Sequence, residues 1–253
     1  DNANRLCFQK IRWRTFNWEI KAVDRILFLD NSIDEDVYQP LTYWEPLLLF
    51  PFDFFRVSAG QWPDGLDAYS HILITGSTAS VLDDTAWMQT EAELIRDAVD
   101  QGKVILGSCF GHQMIARALF GLDAVRRRGK PEIGWPQIQI LATDALLGES
   151  GLTLNGFVFH FDEVCNVPAE SATVIARSAD CEILAFKLKD QPVWGIQPHF
   201  EMGIVEGLQI IDRAAGAEIP DKRDFLRSDK HRPRDSGWII PLMKAFHDTR
   251  PNV

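Results

Sequence analysis

Residues 103–113 read KVILGSCFGHQ, and the fold follows from this stretch. Lys103–Leu106 is mostly β-branched and apolar, the composition of a strand buried in a parallel sheet. From Phe110 the pattern turns helical, with Met114, Ile115, Ala118 and Leu119 on one apolar stripe. Between the two, Gly107 and Gly111 bracket Cys109. A strand, a sharp turn carrying a nucleophile and a helix together make a nucleophile elbow. The glycines have a physical task there, because so tight a turn leaves no room for side chains beside the nucleophile. Cys109 falls at the helix N-terminus, where unpaired N–H groups and the helix dipole favour negative charge. A lone cysteine is more often a buried and inert side chain. The G-x-C-x-G-x-Q spacing directly after an apolar strand reverses that balance.

Outward from the elbow the same alternation repeats. Arg25–Asp30 reads as the first core strand, Phe54–Ser58 as the second and Tyr69–Thr75 as the third. Tyr38–Phe50 is predicted to be helical, with Pro40 near its first turn, and Thr85–Gln101 is an amphipathic helix ending at Gly102. Further strands are predicted at Trp135–Leu141, Gly156–His160, Ala172–Ala176, Ile183–Lys187 and Val193–Gln197. A helix is predicted over Met202–Ala215 and another over Trp238–His247, with a charge-alternating surface segment, Asp221–Asp235, between them. Strands alternating with helices over short connections mean a doubly wound α/β fold, a mostly parallel, flavodoxin-like sheet flanked by helices. Ligands bind such sheets at the carboxyl ends of the strands. Asp30, Gly76 and Cys109 all fall at such ends.

Composition narrows the function. The 253 residues are 46% hydrophobic, enough for a sizeable core, and a net charge of −10 argues against a general nucleic-acid binder. The four cysteines, Cys7, Cys109, Cys165 and Cys181, form no C-x-x-C pair and no zinc spacing, which suits a reducing, cytoplasmic setting. The most apolar run, Pro46–Phe55, is short and broken by Pro51 and Asp53, so no membrane span is expected. No metal-like clustering of His, Cys, Asp and Glu is evident, and neither a metal nor another cofactor is expected. Residues 1–24 mix Arg and Lys with Trp and Phe, an extension to which no role is assigned. Arg126-Arg127-Arg128-Gly129-Lys130 reads first as a solvated basic loop and second as a clamp for an anionic substrate or partner.

A second motif supplies what a nucleophilic cysteine needs. In Val193–Glu201, which reads VWGIQPHFE, His199 and Glu201 stand two apart at the end of an apolar strand and can project to one side. A carboxylate there can hold the imidazole in one tautomer and stabilise its protonated form. His160, in FHFDEV, is the rival base, read as pocket wall or structure; His112 is read as core or pocket lining.

Gly107–Gln113 resembles the nucleophile motif of the class I, triad-type glutamine amidotransferases, a family that includes the glutaminase parts of GMP synthase. The likeness covers about residues 25–215, with residues 216–253 as a charged, helical tail beyond it. Glu132-Ile133-Gly134 is similar to an E-x-G segment of that family, and Phe159–Val164 to its S-H-G-D-x-V segment. The family's Gln-Phe-His-Pro-Glu stands here as Gln197-Pro198-His199-Phe200-Glu201, and its Gly-Gly as Gly76-Ser77. The resemblance implies that Cys109 attacks the γ-carboxamide of glutamine, that His199 moves the protons and that Glu201 orients it. It further implies that the N–H groups of Gly76 and Phe110 form the oxyanion hole and that Gln113 holds the substrate. Three readings stay open: a glutaminase that passes ammonia to a separate synthetase, a stand-alone γ-glutamyl peptide hydrolase, or a catalytically weak regulatory module. No P-loop motif is present and the tail is too short for a second catalytic domain, so the expected products are glutamate and ammonia alone.

Overall fold

The computed structural model describes residues 24–214 and 232–252. Its elements run β1 (Ile26–Asp30), α1 (Pro40–Trp44), β2 (Phe52–Arg56), β3 (His71–Ile74), α2 (Ala86–Asp100), β4 (Val104–Ser108), α3 (Phe110–Phe120), β5 (Val125–Gly134), β6 (Gln137–Ile140), β7 (Thr153–Asn155), β8 (Val158–Val164), β9 (Ala172–Arg177), β10 (Ala185–Leu188), β11 (Val193–Ile196), α4 (Ile204–Ala214) and α5 (Ile239–Asp248). Nine strands form one mixed sheet in the order β2-β1-β3-β4-β11-β10-β9-β6-β7. The half from β2 to β11 is parallel. Beyond β11 the pairs are antiparallel. β5 and β8 stand apart as a two-stranded antiparallel ribbon.

The burial of the parallel half explains its composition. Every residue of β1, β3, β4 and β11 is buried, so these strands read as continuous apolar runs. Alternation still divides their side chains between two cores. Ile72, Ile74 and Ile105 face a core shared with Met88 and Ile95 of α2 and Met114 and Ile115 of α3. Phe28, Leu73 and Leu106 face a second core, shared with Trp44, Leu242, Met243 and Phe246. The last helix is therefore built into the sheet's own packing, and its three fully or nearly buried apolar side chains outweigh the charges around it.

Three local expectations change. The helix predicted over Tyr38–Phe50 stops at Trp44; Pro46 then enters a 3-10 turn, Glu45–Leu47, and Leu48 is extended, as proline's missing N–H and fixed φ dictate. The second strand lies two residues earlier than predicted, at Phe52–Arg56. The basic run Arg126–Lys130 is not a loop. It lies inside β5, where Gly129 and Pro131, turn formers in isolation, sit at a break in register between Arg127 and Glu132. Most of the 1–24 extension, residue 215 and the charged segment up to residue 231 lie outside the described residues.

Candidate active site

The elbow begins with geometry that only glycine permits. A Cβ on Gly107 would lie 2.5 Å from the Gly111 carbonyl oxygen, and one on Gly111 would lie 2.4 Å from that of Ile74. The chain between them turns through Cys109, which holds φ at 52° and ψ at −106° as the residue before α3. A non-glycine residue with positive φ is strained, and such strain persists only where surrounding packing enforces it. Here the Cys109 N–H donates to Ile196 of β11 (2.8 Å) and the Gly111 N–H to Thr75 (3.1 Å), so both flanking strands clamp the turn. Phe110 opens α3, so its N–H precedes any intrahelical acceptor.

β11 delivers the second half. It runs parallel to β4, and its continuation brings His199 to the elbow. The His199 N–H donates to Phe157 (2.7 Å), and Phe200 is buried over Gly156, so the exchanged Pro198 and Phe200 are accommodated beside β8. His199 Nδ1 lies 2.6 Å from Glu201 Oε1. That contact fixes the tautomer and leaves Nε2 for the nucleophile. Burial opposes charge on His199, but Glu201 and the adjacent Cys109 sulfur outweigh it and raise its pKa to about 10. Gly76 completes the cluster. A Cβ there would meet His199 Cε1 at 2.8 Å and the Cys109 Cβ at 3.4 Å, so its backbone lies directly against both side chains.

One member of this cluster is absent from the sequence motifs. The Tyr38 hydroxyl donates to Glu201 Oε1 (3.1 Å), and its ring stands edge-on to His199 at 5.6 Å. Burial, and then the negative charge of Glu201, raise the Tyr38 pKa well above its ordinary value, so it remains a donor. Tyr38 lies 163 residues from Glu201 in sequence, and no spacing rule links them.

Beside Cys109 opens a cavity of about 370 Å³, bordered by Phe110, Gln113, Arg127, Phe159, His160 and Phe161 among others. Gln113 Nε2 donates to the carbonyl of Asp162 and to Gln197 Oε1, both at 3.0 Å. His160 is committed elsewhere: Nδ1 contacts the Asp162 carbonyl (2.8 Å) and Nε2 contacts Glu132 Oε2 (2.9 Å). It is a wall of the cavity with both nitrogens occupied. Toward His199 lies a second, far smaller space of about 30 Å³, with Val37, Phe159 and Met202 on its walls.

A glutamine amidotransferase class-I family model matches residues 50–215, two of the motifs above included. The chain belongs to the class I glutamine amidotransferase family. Among curated relatives of this chain, γ-glutamyl peptidase 4 of Arabidopsis thaliana is 35% identical over 215 residues, 80% of this chain and 83% of that protein. One subunit of the glutamine-hydrolysing GMP synthase of Sulfurisphaera tokodaii is 30% identical over 150 residues, 57% of this chain and 74% of that polypeptide. The solved structure of a glutamine amidotransferase from Methylobacillus flagellatus shares the fold, with a TM-score of 0.71 at 22% identity over 91% of this chain and 98% of that one.

Other titratable groups of the chain are set aside by their surroundings. Burial lowers the His112 pKa to about 3, leaving a neutral ring packed on Phe186. Burial pushes the Cys181 thiol up to about 12, and Cys165 is raised as well. The fold does gather Glu132, His160 and Cys181 within 4.8 Å of one another, a group that sequence spacing does not reveal. Its donors and acceptors already satisfy each other: Glu132 accepts from Ser178 Oγ (2.7 Å) as well as contacting His160, and the Ser178 hydroxyl oxygen accepts from the Cys181 N–H (3.0 Å). The hydrogen bonds of Glu132, His160 and Ser178 account for this group as a buried network. No helix among the described residues is long and apolar enough to cross a membrane.

Proposed function

We propose that the chain hydrolyses a γ-glutamyl amide through a thioester on Cys109. His199 takes the Cys109 thiol proton, and the sulfur attacks the γ-carbonyl carbon, forming the C–S bond and placing negative charge on oxygen. The N–H groups of Gly76 and Phe110 receive that charge. His199, protonated, gives its proton to the departing nitrogen as the C–N bond breaks. It then takes a proton from water, whose oxygen attacks the thioester, releasing glutamate and restoring the thiol. Glu201 orients His199 and offsets its charge, and Tyr38 holds Glu201 in place. Gln113 sits four residues after the nucleophile and helps to wall the acyl cavity.

The observation that carries this reading is the meeting of a strained, elbow-borne cysteine with a carboxylate-bound histidine at the carboxyl ends of two adjacent central strands. The test is turnover. Purified protein should release ammonia from L-glutamine, or an amine from a γ-glutamyl peptide, and a glutamine-analogue affinity label should attach to Cys109. Label on Cys165 or Cys181, or an active Cys109→Ala protein, refutes it.

Two observations point to different leaving groups. The γ-glutamyl peptidases favour a peptide substrate, since the match spans 83% of one such protein. The small space beside His199 favours ammonia, since its volume suits one or two molecules of water size. Comparing turnover of L-glutamine with that of a γ-glutamyl dipeptide decides between them. Dependence of the glutaminase rate on an added synthetase would establish a separate partner chain, which the GMP synthase relatives suggest. A catalytic thiol also fits a reducing, cytoplasmic setting.

A further inference from the structure

Of the three consecutive arginines in β5, the outer two and the middle one do different things. Strand alternation places Arg126 and Arg128 on one side, where both pair with Glu163. Arg127 points the other way and borders the cavity beside Cys109. Its guanidinium lies over the Phe161 ring at 5.1 Å, and Nη1 donates to Asp162 Oδ1 at 3.2 Å. Asp162 is itself fixed. Its other carboxylate oxygen accepts from Ser80 Oγ (2.5 Å), and its carbonyl accepts from Gln113 Nε2. The cation is thus anchored on the residue that anchors Gln113, four positions from the nucleophile. Even so, 54% of the Arg127 side chain stays accessible, and a guanidinium with one hydrogen bond to Asp162 has donors left for a ligand.

We propose that Arg127 binds the α-carboxylate of the γ-glutamyl group, so that the cavity selects substrates whose α-carboxylate is free. The inference rests on the γ-glutamyl reading above. Chemistry orients the substrate. The leaving nitrogen must sit beside His199, where the space is about 30 Å³. The acyl half is therefore left with the 370 Å³ cavity that Arg127 borders. A planar guanidinium matches a carboxylate in two parallel hydrogen bonds, which a lysine ammonium cannot do. Asp34, an exposed carboxylate on the same cavity, complements the α-ammonium of an amino-acid head.

The test compares L-glutamine and γ-L-glutamylglycine with their α-carboxamide counterparts, in the natural protein, Arg127→Gln and Arg127→Lys. The natural protein should prefer the carboxylate by about 10- to 100-fold in kcat/KM, the range expected for a charge-assisted contact. In Arg127→Gln that preference should collapse to within a factor of about two, while Arg127→Lys, which keeps the charge, should retain part of it. Because the readout is a ratio on one protein sample, partial unfolding cancels. A natural protein without the preference, or an Arg127→Gln protein that keeps it, overturns the assignment. A natural protein inert toward all four compounds overturns instead the γ-glutamyl reading beneath it.

Discussion

Glu91 is buried completely on α2, and neither of its carboxylate oxygens has a hydrogen-bond partner. Burial pushes its carboxyl up to about 8; Asn31 and Arg117 pull the other way without offsetting it. Between the ordinary value of 4.5 and about 8, the folded chain keeps a proton that the unfolded chain has released, so stability falls as pH rises across that window. At about 1.4 kcal/mol per pH unit the ceiling on that loss is about 5 kcal/mol. Glu91→Gln keeps the shape and removes the titration. Urea unfolding of both proteins should give stabilities within about 1 kcal/mol at pH 5, with the Gln variant ahead by about 2–5 kcal/mol at pH 8. The shifts of His71 and His112 are common to both proteins and cancel in the difference. The location gives the effect a functional edge, because Asn31 Nδ2 donates to the Thr75 carbonyl (3.4 Å), which also accepts the Gly111 N–H of the elbow. A stability difference that does not change with pH, or a Gln variant weaker at pH 8, refutes the reasoning.

Further outcomes bear on the site directly. Cys109→Ala should abolish amide hydrolysis with the thermal midpoint nearly unchanged, and it should lower the His199 pKa, followed by NMR, because the sulfur is one of the charges that raise it. His199→Ala should cost about a thousandfold or more in kcat, the scale of a triad base, while a His160→Ala protein that is equally dead with His199→Ala active would reverse the assignment. Tyr38→Phe removes one hydrogen bond to Glu201 and leaves the His199 contact; kcat/KM should fall by about 3- to 30-fold, with KM little changed. Gly76→Ala sets a methyl 2.8 Å from His199 Cε1, so it should displace the ring and slow turnover while an affinity label still reaches Cys109.

The parts that were legible in the sequence are those whose physics is local. The elbow announces itself because Gly107 and Gly111 are required by contacts within a few residues and one neighbouring strand. His199 and Glu201 are legible because their contact spans two residues at a strand end. Tyr38 was not legible: it reaches Glu201 through the tertiary fold alone, and a tyrosine before a proline is unremarkable in isolation. Arg127 was half legible. Its charge stood out, but Gly129 and Pro131 signalled a turn where the chain makes an irregular strand, and only the pairing of Arg127 opposite Asp162 places it at the cavity. The last helix was legible as a helix, whereas its place in the core depends on partners more than 190 residues away, such as Phe28 and Trp44.

Three buried histidines, His112, His160 and His199, show how the fold gives one side chain different surroundings. His112 packs on Phe186 against Gly195 with no carboxylate beside it among the described residues; burial outweighs the nearby backbone carbonyls and keeps it uncharged, so it fills space. His160 has a carboxylate on one nitrogen and a backbone carbonyl on the other, so it fixes the geometry of the cavity wall and has no nitrogen left to move a proton. His199 has a carboxylate on one nitrogen and faces the Cys109 sulfur with the rest of its ring. Only that third arrangement both stabilises an imidazolium and leaves a nitrogen where a leaving group will sit. What lies at each end of the ring is the ground on which we propose His199 as the base. Burial is common to all three and decides nothing by itself.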